Sequence, residues 1–165
     1  MPSFVILFVV ALVIVASVSD VRTRRIPNLL TLPAIAAGLV ANTVVGGFSG
    51  LGMSAAGILT AGLVVGGFCW FRAMGFGDLK LCAAVGAWIG PSALLFALLI
   101  TAMAGGVMAI VYAVWKGKLG VLFDRSSNLL RGSRSSASDV RDPSALAIPY
   151  APAIAFGVVF SFFAN

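Results

Sequence analysis

Asp20 and Asp78 are the residues of this chain best suited to chemistry. Only five acidic side chains are present, all aspartate, and these two stand where long apolar segments meet short basic ones, the second inside Gly75-Phe76-Gly77-Asp78. An ionisable side chain at a membrane boundary is costly unless it is paired or used. Two carboxyls within hydrogen-bond reach do not both ionise readily, so they share one proton near neutrality and titrate as a unit. Such a pair can hydrolyse a peptide. The ionised member draws a proton from a water held between them while the protonated member donates to the carbonyl under attack. No nucleophilic side chain, metal or cofactor is needed for this.

Each aspartate also has a simpler explanation. Asp78, after a glycine and before an apolar run, is a favourable helix N-cap, with Lys80 as its counter-charge. Asp20 faces the unfavourable pole of its own helix dipole, so capping does not account for it, and Arg22, Arg24 or Arg25 would have to pair with it. Gly75 and Gly77 fit the chemical reading, because they permit tight backbone geometry and let an extended peptide approach where a side chain would block it. A lone G-x-G-D is nonetheless a weak signal.

The remaining composition removes most other chemistries. There is no His and no Glu, and Cys69 and Cys82 lie inside apolar segments without C-x-x-C or metal-ligand spacing. Zinc sites, Ser-His-Asp triads and Cys-His pairs are thereby excluded or nearly so. The 165 residues suit a single domain, and 61% are hydrophobic while 10% are charged. Soluble domains carry about 25% charged residues, and the mean hydropathy here is +1.10. An integral membrane protein is expected. A net charge of +6 in a soluble chain would point to nucleic acid, but here basic residues more naturally record topology, and no nucleic-acid partner is expected.

The elements that must position the aspartates are legible as apolar stretches: Phe4 to Val18, Leu29 to Val45, Met53 to Phe71, Leu79 to Ile89, Ala93 to Trp115 and Ala145 to Phe163. Most approach the ~20 residues that cross a bilayer as helix. The fourth is short, because Gly90-Pro91 should end it, and spans only if its helix starts near Met74. The expected fold is therefore all-α, a polytopic bundle of six transmembrane helices. All basic residues fall on one face if both termini lie on the non-cytoplasmic side, since the links Gly46 to Gly50 and Gly90 to Ser92 carry no charge. That arrangement satisfies the positive-inside rule and puts Asp20 and Asp78 on the cytoplasmic face. Ser17-Val18-Ser19 has the small residues of a signal cleavage site, but no Lys or Arg precedes the apolar run and three Arg follow it. A retained first helix is expected.

The stretch 116–142 is the one long polar connection, rich in Ser, Gly and Arg, and reads as a mobile cytoplasmic loop. Its Asp124, Asp139 and Asp142 alternate with arginines and are read as a solvated charged face. Glycines recur at small-x-x-x-small spacing at Gly46 to Gly50, Gly62 to Gly66 and Gly86 to Gly90. Close helix packing is expected there, and self-association into a homo-oligomer through one such face is an alternative.

Three stretches resemble a known family. Gly75-Phe76-Gly77-Asp78-Leu79-Lys80-Leu81, continuing through Ala83 to Gly90, is similar to the signature of type IV prepilin peptidases, the G-x-G-D membrane aspartic proteases. Asp20-Val21-Arg22-Thr23-Arg24-Arg25-Ile26-Pro27-Asn28 resembles that family's other catalytic segment. The tail Ile148 to Gly157 resembles the last helix of the short form that serves tight-adherence (Flp-type) pili. The resemblance covers most of the chain in the right order. It implies that Asp20 and Asp78 are catalytic, that Gly75 and Gly77 are the motif glycines, and that Lys80 tunes or positions the site. It further implies prepilin or pseudopilin substrates whose short basic leader is cut at the cytoplasmic face of a bacterial inner membrane. Longer members bear a cytoplasmic extension with paired C-x-x-C motifs and methylate the new N-terminus with S-adenosylmethionine. This sequence starts at its first apolar segment, so cleavage without methylation is expected. The basic cytoplasmic face repels a basic leader, so recognition should rest mainly on the substrate's apolar helix, with the loop acids at most assisting. Two rivals remain: a non-catalytic membrane subunit of a pilus or secretion machine, and a small transporter. A transporter would carry ionisable or broken-helix features near the midplane.

Overall fold

The computed structural model of the chain describes residues 3–23, 26–70, 74–115 and 151–163. They form four helical elements in the order α1 (Ser3–Thr23), α2 (Asn28–Trp70), α3 (Phe76–Trp115) and α4 (Ala151–Phe163). The described residues contain no strand. Three stretches, Phe4–Thr23, Asn28–Trp70 and Phe76–Met108, are long and apolar enough to cross a membrane. The all-helical membrane class expected from composition is therefore what these residues adopt. The 116–142 connection with its three aspartates, the tail residues Ile148, Pro149 and Tyr150, and Arg24, Arg25 and Arg72 lie outside the described residues.

α2 and α3 are each broken once, in the two charge-free links. Gly47 takes φ 57 and ψ −139, and Gly90 takes φ 78 and ψ 177. Both values lie in the left-handed half of the map, where a side chain is strained and glycine is not. Behind Gly90 stands Pro91, which has no N–H to return to the preceding turn. The fourth apolar segment thus ends where expected, but its helix begins at Phe76 rather than near Met74.

The carbonyl that Pro91 leaves without a helical donor is that of Ala87, four residues back. Two side chains of α2 supply the missing bonds: Asn42 Nδ2 donates to it at 2.8 Å and Ser54 Oγ at 2.6 Å. Asn42 also donates to Ser54 at 2.9 Å, and the Trp88 indole donates to the Ala34 carbonyl at 2.8 Å. In a bilayer no water replaces such partners, so this bracket both permits the break and ties α3 to α2. Asn42→Leu combined with Ser54→Ala should lower stability by about 1–3 kcal/mol, the cost of a buried acceptor left unmade. Either change alone should cost less, because the other donor remains. Thermal unfolding in detergent measures both.

The first half of α3 is the centre of the core, with Leu81, Cys82, Ala84, Val85, Ile89 and Leu94 buried. α2 crosses it where Gly57 meets Gly86: a Cβ at Gly86 would stand 2.6 Å from the Gly57 carbonyl oxygen. α1 buries Val5, Val9, Leu12, Val13 and Ala16, one stripe at helical period, and packs against α4. α4 in turn meets α3 at Gly157, where a Cβ would collide with Thr101 and Ala97.

By contacts the chain divides into two compact units, one of Met1–Ala104 with Pro149–Asn165 and one of Gly105–Ile148. Both motif aspartates belong to the first. Of the second, 105–115 are described, a helical stretch that exposes Val107, Ile110, Val111, Val114 and Trp115.

Candidate active site

Asp78 occupies the third position of α3. The turn before it is closed by Gly75, whose carbonyl accepts the amides of Asp78 at 3.1 Å and Leu79 at 3.4 Å. Gly75 is therefore the N-cap, and Asp78 is not, contrary to the simpler explanation that sequence offered. The Asp78 carboxylate reaches back instead to the backbone amide of Gly75, the geometry of a capping box with Asp in the Glu position. Its side chain is 8% exposed. Lys80 is not its counter-charge either: Nζ donates to Asn28 Oδ1 at 2.8 Å.

Asp20 lies in the last turn of α1, which runs beyond the apolar stretch ending at Val18 to Thr23. Its Oδ2 accepts the backbone amide of Ala151, the first residue of α4, at 3.4 Å. The positive pole of α4 thus offsets the unfavourable pole of α1. Sequence reasoning missed this partner because it lies 131 residues away and is a backbone group, which leaves no mark in residue type.

The two aspartates come from different helices yet stand close enough for the charge of Asp20 to act on Asp78. Gly75 lies against the Asp78 carboxylate, where a Cβ would stand 3.5 Å from Oδ2. Gly77 faces Ile26, in the connection that follows α1. A Cβ at Gly77 would stand 3.4 Å from the Ile26 side chain, in van der Waals contact, so Ile26 packs against this turn of α3. Pro27, next to Ile26, caps α2, its carbonyl accepting Leu30 N at 3.0 Å.

Two further groups lie beside Asp78 without any sequence signal. Cys69 is buried and its thiol donates to the Gly75 carbonyl at 3.5 Å, and the buried Cys82 sits one turn along α3 from Asp78. Their separation matches no thiol motif, so only the fold brings them to the same turn. Among the described residues no three His, Cys, Asp or Glu side chains gather as metal ligands. A cavity of about 190 Å³ lined by Phe4, Val5, Asn42, Met53, Trp88 and Ile89 lies toward the other end of α1 from Asp20 and takes no part in the site.

The family model described as "Type IV leader peptidase family" matches residues 7–110, a stretch that contains both aspartates and their flanking turns. The chain belongs to this family. It is 36% identical over 116 residues to a prepilin leader peptidase/N-methyltransferase of Burkholderia pseudomallei (strain 1026b), which covers 66% of this chain and 37% of that protein. A protein of the same name from Aeromonas hydrophila is 38% identical over 98 residues, 55% of this chain and 33% of the relative. Another from Escherichia coli (strain K12) is 38% identical over 109 residues, 60% and 47% of the two chains. The match thus spans less than half the length of these curated relatives. No solved structure matches the chain. The short-form resemblance drawn from the tail lies beyond the stretch that the family model covers.

Proposed function

We propose that this protein is an intramembrane aspartic endopeptidase that removes the short basic leader from prepilin or pseudopilin substrates. The observation that carries the reading is the convergence of Asp20 from α1 and Asp78 from α3, close enough for the charge of the first to act on the second. The second carboxylate is held at the first turn of α3, beside Gly75. One carboxylate activates a water and the other, protonated, donates to the scissile carbonyl, so no metal or cofactor is required. Gly75 admits the extended peptide to the pair.

Six transmembrane helices with both termini on the non-cytoplasmic side complete the proposal. The breaks at Gly47 and Gly90 divide two helices that would otherwise be far longer than a bilayer is thick. Arg22 and Lys80, at the same helix ends as the aspartates, favour a cytoplasmic site in a bacterial inner membrane. The chain then acts as one peptidase domain, surrounded by lipid and serving a pilus assembly machine of the tight-adherence type. Its substrate is recognised through the apolar helix behind the leader.

One observation favours the rival of a non-catalytic subunit. Capping α4 is a structural role that would by itself keep an acid or amide at position 20. The two readings separate on co-expression with a prepilin substrate: leader removal by the intact chain, lost in Asp20→Asn and in Asp78→Asn at equal membrane level, supports the peptidase. Processing by either variant overturns it.

A further inference from the structure

The bond between Lys80 and Asn28 joins the two segments that carry the aspartates. Asn28 opens α2 immediately behind the connection that leaves α1 after Asp20, and Lys80 follows Asp78 by two residues in α3. A second, apolar tie lies beside the first, the Ile26 side chain seated against Gly77. Gly77 and Lys80 are three apart and share a helix face, whereas Asp78 is turned from Gly77 by about 100° around the axis. The connection therefore grips α3 on the face next to the carboxylate rather than over it. Ile26 is 9% exposed and held in the core cluster, so the grip is anchored on the α1 side as well.

We infer that Lys80 and Asn28 are positioning residues, their hydrogen bond holding the connection after Asp20 against the turn that carries Asp78, with Lys80 acting through Asn28 rather than on Asp78 or on substrate. The inference rests on the aspartic-peptidase reading. A lysine in this motif would ordinarily be assigned to a carboxylate. Here its ammonium is directed at a neutral amide oxygen at 2.8 Å, which gives it geometry rather than charge neutralisation as its task. Releasing the bond lets the connection drift and shifts one aspartate against the other. A displacement of about 1 Å between reacting groups lowers a rate by about 10²-fold without altering how substrate is held elsewhere.

The test is a double-mutant cycle on the full chain in detergent, with a purified prepilin as substrate and thermal midpoints recorded for every variant. Lys80→Met and Asn28→Leu should each lower kcat by about 10- to 100-fold and leave KM within about threefold, because chemistry and not binding is disturbed. The double variant should lose no more than either single one, as two residues acting through one contact do. Asn28→Asp should keep cleavage close to that of the intact chain, since its carboxylate accepts the same bond. Should either apolar replacement fail to accumulate, Lys80→Gln and Asn28→Ala enter the same cycle. Losses that multiply, or full activity in Asn28→Leu beside a loss in Lys80→Met, would place Lys80 on Asp78 or on substrate and overturn the inference. If Asp20→Asn and Asp78→Asn cleave normally, it is the aspartic reading that fails, and the cycle still reports on the clamp.

Discussion

Asp20→Asn and Asp78→Asn are each expected to end leader removal while the protein accumulates in the membrane at its usual level. The second half of that statement comes from the hydrogen bonds. The amide oxygen of Asn at position 20 still accepts the Ala151 N–H that Asp20 Oδ2 accepts at 3.4 Å. At position 78 it still accepts the Gly75 amide. Local structure is therefore kept in both variants, and what disappears is the carboxyl's capacity to give and take a proton. Loss of a positioned acid or base lowers rates by about 10²–10⁴-fold, and a pair that works as one unit loses nearly everything with either member. Gel mobility of a co-expressed prepilin reads cleavage, and immunoblotting of membranes reads accumulation. Equal and near-complete losses in the two variants are the expected result. A large loss in one beside normal processing in the other would mean that a single carboxylate does the work, which the paired mechanism does not allow.

How much of this was legible in sequence differs from residue to residue for physical reasons. Asp20 and Asp78 were conspicuous because an acid in an apolar chain has few bland explanations, and the helix breaks at Gly47 and Gly90 were announced by Gly-rich, charge-free links. The cap of α3 was misassigned to Asp78 for a geometric reason. Gly75 closes the turn with its backbone, and a glycine's capping leaves no side chain to notice. Lys80 was paired in sequence with the nearest acid, yet the fold carries its ammonium to Asn28, 52 residues away. The support of Asp20 by the N-terminus of α4 was invisible for a related reason, since any residue can offer a backbone amide. Local chemistry could be read from residue types, whereas partners supplied by tertiary packing could not.

Glycine spacing shows the same limit and yields the other large expected effect. In sequence, Gly62 to Gly66 and Gly86 to Gly90 have the same pattern, and helix propensity favours Gly→Ala in both by up to about 1 kcal/mol. The structure separates them. A Cβ at Gly86 would stand 2.6 Å from the Gly57 carbonyl oxygen and 2.9 Å from Leu94, while one at Gly62 meets nothing within 4 Å. A backbone carbonyl cannot move aside as a side-chain tip can, so α2 and α3 must part along the crossing, and overpacking of that kind costs about 1–3 kcal/mol or more. Gly86→Ala is therefore expected to lose at least about 2 kcal/mol despite its propensity gain, and Gly62→Ala to be neutral or slightly stabilising, measured as thermal midpoints in detergent. Because the crossing lies two turns above Asp78 on the same helix, parting it also disturbs the turn that carries Asp78. Gly86→Ala should thus lose cleavage further than its folded fraction accounts for. Gly62→Ala carries a separate message: damage there comparable to that at Gly86 would mean that this open face is covered by a second copy of the chain, and the self-association reading of the small-residue spacing would then hold for it.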